Sequence, residues 1–185
     1  LCHGCAGCVL TCPSGAITET EREIGYVENG TGKGIRLIHG RLRVGEAMSP
    51  PLIRAVKDTV LPEGIILYDC PPGTSCPVIQ SIYGSDFMLL VTEPTPFGLN
   101  DLKLAVEMAR ELKIPFAVVI NRSTIGSRSL WEYCENENIP IILEIPNARE
   151  IAEAYARGQL ILEILPQYQD SFARLCSYLA EVIPC

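Results

Sequence analysis

The spacing of apolar residues along the 185-residue chain changes character near Ser49. Before that point, from Thr18 to Glu46, polar and β-branched residues alternate among many glycines, a pattern that predicts hairpins. Ile35-Arg36-Leu37-Ile38 and Arg41-Leu42-Arg43-Val44 are expected as two strands joined through His39-Gly40, with Asn29–Gly34 as an earlier cluster of turn residues. His39 is accordingly read as a turn residue and not as a ligand. After Ser49, short apolar runs alternate with amphipathic stretches, the signature of a parallel α/β architecture. The predicted strands are Ile65–Cys70, Met88–Glu93, Phe116–Asn121 and Ile141–Ile145. Leu99–Leu112 carries apolar residues at Leu102, Ala105, Val106, Ala109 and Leu112, one stripe of a helix. Ser127–Asn138, Ala148–Arg157 and Tyr168–Val182 are the other predicted helices, and Gly158 stops the second of these three. The chain thus divides into a cysteine-rich segment (1–17), a hairpin-rich connector (18–48) and an α/β region (49–185).

Composition narrows the function classes. A hydrophobic content of 48% and a mean hydropathy of +0.21 are enough to bury a substantial core. Fifteen basic and twenty-two acidic residues give a net charge of −7, and no Lys/Arg block could neutralise a run of phosphates, so nucleic acid is not expected as a direct partner. The longest apolar runs, Ile139–Ile145 and Phe87–Val91, are strand-length, far below the ~20 residues of a membrane span. The residues ahead of the first cysteine motif contain no export signal. Nine cysteines, four of them in the first twelve residues, suit metal ligation in a reducing cytoplasm better than a disulfide framework.

Cys2, Cys5, Cys8 and Cys12, followed by Pro13, match the bacterial ferredoxin run C-x2-C-x2-C-x3-C-P. Three thiolates spaced by two residues can wrap one cubane, and the small residues Gly4, Ala6 and Gly7 let backbone amides approach the sulfurs. In two-cluster ferredoxins the fourth cysteine serves the other cluster, which here is Cys12. A zinc knuckle is the weaker alternative, since such sites usually pair two separated Cys-x2-Cys elements. With Leu1 as first residue, no upstream cysteine completes either ligand set, and the module reads as cut in its middle.

Farther along, Ile65-Ile66-Leu67-Tyr68-Asp69-Cys70-Pro71-Pro72-Gly73-Thr74 is an apolar run ending in an acid and a Pro-Pro-Gly turn. It resembles the Walker B and switch II segment of the MinD/ParA family of P-loop ATPases, in particular members with an inserted ferredoxin domain. Leu89–Thr95 and Val118-Val119-Ile120-Asn121-Arg122 resemble the later strands of that family, and Ile145-Pro146-Asn147 its loop over the base. The resemblance covers nearly the whole chain and implies a parallel-sheet P-loop NTPase-like fragment of the MinD type behind half of a ferredoxin-like module. It implies that Asp69 lies near magnesium and that the Gly73 amide, flanked by Pro72 and Thr74, senses the γ-phosphate. It also implies that Asn121, with Arg122 and Pro146, holds the adenine; an amide can donate and accept at once, as a base edge requires.

No P-loop motif occurs in the sequence, and Gly32-Lys33-Gly34, which lacks the following hydroxyl, is read as a hairpin turn. The family's P-loop strand lies between those ending at Asp69 and Glu93, so a gap or abnormal pairing is expected there. Without the P-loop lysine and hydroxyl the chain alone is not expected to hydrolyse ATP. The resemblance implies 4Fe-4S clusters and ATP or ADP with magnesium as cofactors of the full protein, a homodimer, and a redox or iron–sulfur partner protein. The corresponding function is a nucleotide switch coupled to cluster carriage or electron transfer. The alternative is a non-redox positioning or partition switch. Stable membrane association is not expected, because Arg174 is the lone basic residue in the tail from Asp170 to Cys185. Cys70 and Cys76 are read as small buried thiols, with Cys76 a weaker candidate for a ligand shared across a dimer. Cys134, Cys176 and Cys185 are read as structural or incidental.

Overall fold

The computed structural model describes residues 5–61 and 64–183. These form two compact units, and the chain passes between them around the Pro-Pro-Gly turn. The first holds the described residues up to Pro71 together with Ser75–Tyr83; the second holds Pro72–Thr74 and the described residues from Gly84 onward.

In the first unit, a short helix α1 (Gly7–Thr11) is followed by strands β1 (Gly25–Gly32) and β2 (Ile35–Leu42), then by helices α2 (Pro50–Asp58) and α3 (Cys76–Ile82). β1 and β2 form one antiparallel hairpin from Gly25↔Leu42 to Gly32↔Ile35. Its turn is Lys33-Gly34, both at positive φ (49° and 77°), as the mirror-image turns that match strand twist require. The turn expected at His39-Gly40 is therefore absent, and the two short strands predicted on either side of it are one. Gly40 instead marks the place where α2 lies against the strand: a Cβ there would come within 2.8 Å of Leu52 Cγ and 3.1 Å of Val56 Cγ2. His39 sits opposite Glu28 and approaches its carboxylate at 3.1 Å. α2, which the periodicity did not single out, starts on Pro50-Pro51, residues whose fixed φ suits a first helical turn.

Residues 65–70 are not the buried strand that their composition predicts. They belong to no ladder, and Ile65 and Leu67 are 93% and 83% exposed. An apolar run becomes a strand when a neighbour accepts its N–H groups, and among the described residues none does. Asp69 is consequently exposed and lies at the end of an unpaired segment.

The second unit is built on a parallel sheet in the order β3 (Met88–Thr92), β4 (Phe116–Asn121), β5 (Ile141–Ile145). Helix α4 (Pro96–Leu112) connects β3 to β4 and α5 (Ser129–Asn136) connects β4 to β5. α6 (Arg149–Ala156), α7 (Ile161–Ile164), a 3-10 turn at Pro166–Tyr168 and α8 (Gln169–Val182) follow. Central β4 is buried continuously from Ala117 to Ile120, as a strand covered on both faces must be. β3 alternates instead: Met88, Leu90 and Thr92 are buried, while Leu89 and Val91 remain exposed. α4 packs on β3 and α8 on β5, and Phe87, just ahead of β3, meets Tyr178 of α8 edge to face at 6.2 Å. Thr95 caps α4 by accepting a hydrogen bond from the Gly98 amide at 3.0 Å. Among the described residues β3 has a ladder partner on one side only. None of their helices is long and apolar enough to cross a membrane.

Candidate functional site

Polar groups collect where the three parallel strands end. In open α/β sheets the carboxyl ends of the strands border the crevice in which ligands bind, because the loops leaving them diverge to opposite faces. Here those ends are Glu93 after β3, Asn121-Arg122 at β4 and Pro146-Asn147 after β5. Asn121 is half-buried, and its Oδ1 accepts a hydrogen bond from the Arg122 amide at 3.0 Å. That contact fixes the amide plane and leaves the Nδ2 donors and a second Oδ1 lone pair for a ligand. Arg122 adopts the left-handed backbone region (φ 53°), and its Nε lies 3.5 Å from Glu93 Oε1.

The loops that carry these groups are tied to one another. The Ser123 amide donates to Ile145 O at 2.9 Å, and the Asn147 amide donates to Thr124 Oγ1 at 3.1 Å. Gly126, at φ +77°, lies so close to the carbonyl of buried Pro94 that a Cβ would overlap it. The crest is therefore preset by backbone contacts. A depression of about 440 Å³ also exists at the other end of the sheet, beside Lys113 and Pro140, but Arg110 there is already paired with Glu137 at 2.7 Å.

The structure brings Asn121, Arg122 and Pro146 together, and it adds Glu93, Thr124 and Gly126, which the sequence did not single out. The pair Thr92-Glu93 at a strand end was the available signal for Glu93; nothing in the sequence shows Gly126 against Pro94. Asp69 belongs to the first unit, whereas Pro72, Gly73 and Thr74 are exposed in the second. Gly73 has φ +92°, a conformation that L residues rarely adopt, so the Pro-Pro-Gly turn depends on it.

At the amino end, Cys2 lies outside the described residues. Cys5 and Cys8 are exposed, and Cys12 follows α1, which starts after Ala6 in the left-handed region (φ 57°). A Cβ on Gly7 would stand 3.5 Å from Cys5 Sγ, an ordinary contact, so the backbone there passes close to that sulfur without requiring glycine. The Cys12 thiol is pulled below its ordinary pKa by hydrogen bonds from the Ser14 hydroxyl, 3.5 Å away, and from the backbone at Ala16 and Ser14. Thiolates receiving backbone N–H bonds are the donor chemistry an iron–sulfur cluster takes. No three metal-ligating side chains converge among the described residues, however.

The other cysteines divide by burial. Cys70 is half-buried, and Cys76, expected to be buried, is exposed at the start of α3; Cys176 is also exposed, and Cys185 lies outside the described residues. Cys134 is buried under α5, and burial pushes its thiol from 9.0 up to about 11. The fold thus favours the neutral thiol: this contribution is intact below the unfolded value and is lost as pH rises from about 9 to about 11. Two pK units correspond to about 2–3 kcal/mol. Urea unfolding at about pH 8 and pH 11 is expected to show that loss in the parent protein and a smaller one in Cys134→Ala; equal losses would remove Cys134 as the cause.

No family model matches the chain. Two uncharacterized proteins of Methanocaldococcus jannaschii are similar to it. One is 30% identical over 165 residues and the other 31% identical over 169 residues, each match covering 88% of this chain and 57% of the relative. The chain thus spans a little over half the length of these curated relatives. Among solved structures it is similar to the MinD cell division protein of Aquifex aeolicus, with a TM-score of 0.52 and 19% identity over 73% of this chain and 61% of that one. At that identity the likeness shows the fold: the α/β architecture is MinD-like.

Proposed function

We propose that, on this MinD-like frame, the protein is a nucleotide-dependent switch that binds an adenine nucleotide at the strand ends and carries an iron–sulfur module at its amino end. The observation that supports it most is the placement of Asn121, with its side-chain amide plane fixed by the Arg122 N–H, at the carboxyl end of the central strand between Glu93 and Pro146. In this reading Asn121 recognises the base edge, Arg122 and Pro146 border it, and Asp69 with Pro72, Gly73 and Thr74 faces magnesium and the terminal phosphate. A phosphate-binding loop would come from the part of the relatives' length that this chain does not span, on a strand pairing with the open edge of β3. Cys5, Cys8 and Cys12, together with Cys2, would hold a 4Fe-4S cluster, which supplies one-electron chemistry when bound. ATP hydrolysis, a homodimer and an iron–sulfur partner protein belong to the same proposal, as does a cytoplasmic location.

A non-redox positioning switch is the second reading, favoured by the name of the Aquifex protein. Its membrane-bound form is disfavoured by α8, where Arg174 stands against Asp170 and Glu181.

The test uses the protein's single tryptophan. Trp131 Nε1 donates to Glu144 Oε1 at 3.3 Å, and Glu144 lies on β5 just ahead of Ile145-Pro146. In the full-length protein with magnesium, adenine nucleotides should change its fluorescence. Loss of a base-reading hydrogen-bond pair in Asn121→Ala should raise the Kd about tenfold, the equivalent of ~1.4 kcal/mol, and leave inorganic triphosphate binding unchanged. Equal binding of adenine and guanine nucleotides by both proteins would remove the base-reading role. Iron and sulfide analysis after anaerobic reconstitution decides the other half, and zinc or no metal would remove it.

A further inference from the structure

We propose that Lys57 is the positioning residue of the Asp69–Gly73 turn, its ammonium fastening the segment that leads into the turn to the end of the helix that follows it. Lys57 stands in the last turn of α2. Its Nζ donates to the carbonyl oxygens of Ser81 at 2.9 Å and Tyr83 at 2.6 Å, with a longer contact to Gln80 O at 3.5 Å. The same Nζ lies 4.6 Å from the centre of the Tyr68 ring. One charge therefore holds both flanks of the turn: Tyr68, the residue before Asp69, and the carboxyl end of α3, whose carbonyls have no helical partner of their own.

The chemistry suits lysine. An ammonium offers three donors on a compact charge, so it can satisfy converging carbonyls and still present its positive charge to an aromatic face. Residues 65–70 make no ladder and no backbone–backbone hydrogen bond among the described residues. The ring–ammonium contact is thus a principal tie on a segment that is exposed except at Tyr68 and Cys70. A segment held at so few points opens locally at small cost, while α3 is anchored through buried Val78, Ser81 and Ile82. Lys57 sets the rest position of the turn, and a ligand that moves Asp69 and Gly73 works against it. That last step rests on the nucleotide reading above; the fastening itself does not.

The test is hydrogen exchange on the whole protein, first without nucleotide, in Lys57→Met, Lys57→Arg and Tyr68→Leu. Lys57→Met is expected to speed amide exchange at the end of α3 about tenfold and, in parallel digestion with thermolysin, to speed cleavage within the exposed segment 65–70 by a similar factor. Tyr68→Leu should speed cleavage within 65–70 alone, because the carbonyl contacts stay, and Lys57→Arg should restore most protection at both places. Unchanged exchange in Lys57→Met overturns the proposal, and so does acceleration extending through β3, β4 and β5, which would make Lys57 a general stability residue. The second arm titrates ATP, ADP and adenosine with Trp131 as reporter. Lys57→Met should lower the ATP-to-ADP affinity ratio at least about threefold and leave adenosine unaffected; an unchanged ratio in a protein that prefers ATP overturns the positioning role. If the parent protein binds no nucleotide, the functional reading above fails while the exchange pattern still decides whether Lys57 fastens the turn.

Discussion

Gly126→Ala is expected to lower stability by about 3 kcal/mol and, under the nucleotide reading proposed above, to weaken nucleotide binding with it. Two costs add at this position. A side chain at φ +77° is strained, which for alanine is worth about 1 kcal/mol. In addition, the new methyl would overlap the Pro94 carbonyl, and overpacking of that kind costs about 1–3 kcal/mol. Pro94 is fully buried and leads directly into α4, so it has little room to give way. Relief has to come from the loop between β4 and α5, which carries Arg122, Ser123 and Thr124; its ties to Ile145 and Asn147 would loosen. Gly158→Ala is the control, because φ is +68° there but no atom lies within 4 Å; it should lose only the backbone part, about 1 kcal/mol. Urea unfolding of the two variants measures the difference. Equal losses would mean that the close approach to Pro94 contributes nothing.

Ile120→Ala should be comparably damaging, about 3–4 kcal/mol, by a different route. Ile120 is fully buried on the central strand, opposite Thr92 on β3 and Glu144 on β5. Removing its branched side chain forfeits transfer free energy and leaves a cavity that a rigid sheet cannot close, and Ile→Ala in such places costs about 2–5 kcal/mol. The residue also immediately precedes Asn121, so under the proposed reading slackness in β4 should appear as weaker base binding as well as lower stability. Val91→Ala, on β3 and 66% exposed, should change stability by no more than about 0.5 kcal/mol. A loss in Val91→Ala close to that of Ile120→Ala would show that the exposed face of β3 is covered in solution.

The pattern of apolar positions was sufficient for most of the second unit, though not for α7 or the 3-10 turn after it. Its three paired strands were legible as short β-branched runs, and α4, α5, α6 and α8 as periodic stretches, because the elements that bury those faces follow within the same stretch of chain. The position of Asn121, Arg122 and Pro146 at strand ends was legible to the same extent, because those strands are themselves local; a ligand role for them came from the family resemblance alone. Glu93, Thr124 and Gly126 were not, since each matters through a neighbour that periodicity does not identify. The same limit explains Ile65–Cys70. Its composition is that of a buried strand, but a strand is defined by the ladder beside it, and no described segment supplies one.

What the amino-acid order determined by itself is the set of local choices: where helices start and stop, which strands are apolar, and which cysteines share ligand spacing. Tertiary structure alone decided that Gly40 lies in mid-strand under Leu52 and Val56 and that Lys57 joins Tyr68 to the end of α3. Periodicity and turn chemistry act over a few residues and are written consecutively, whereas close approaches and charge contacts arise between residues far apart in the chain and exist only once the backbone has brought them together.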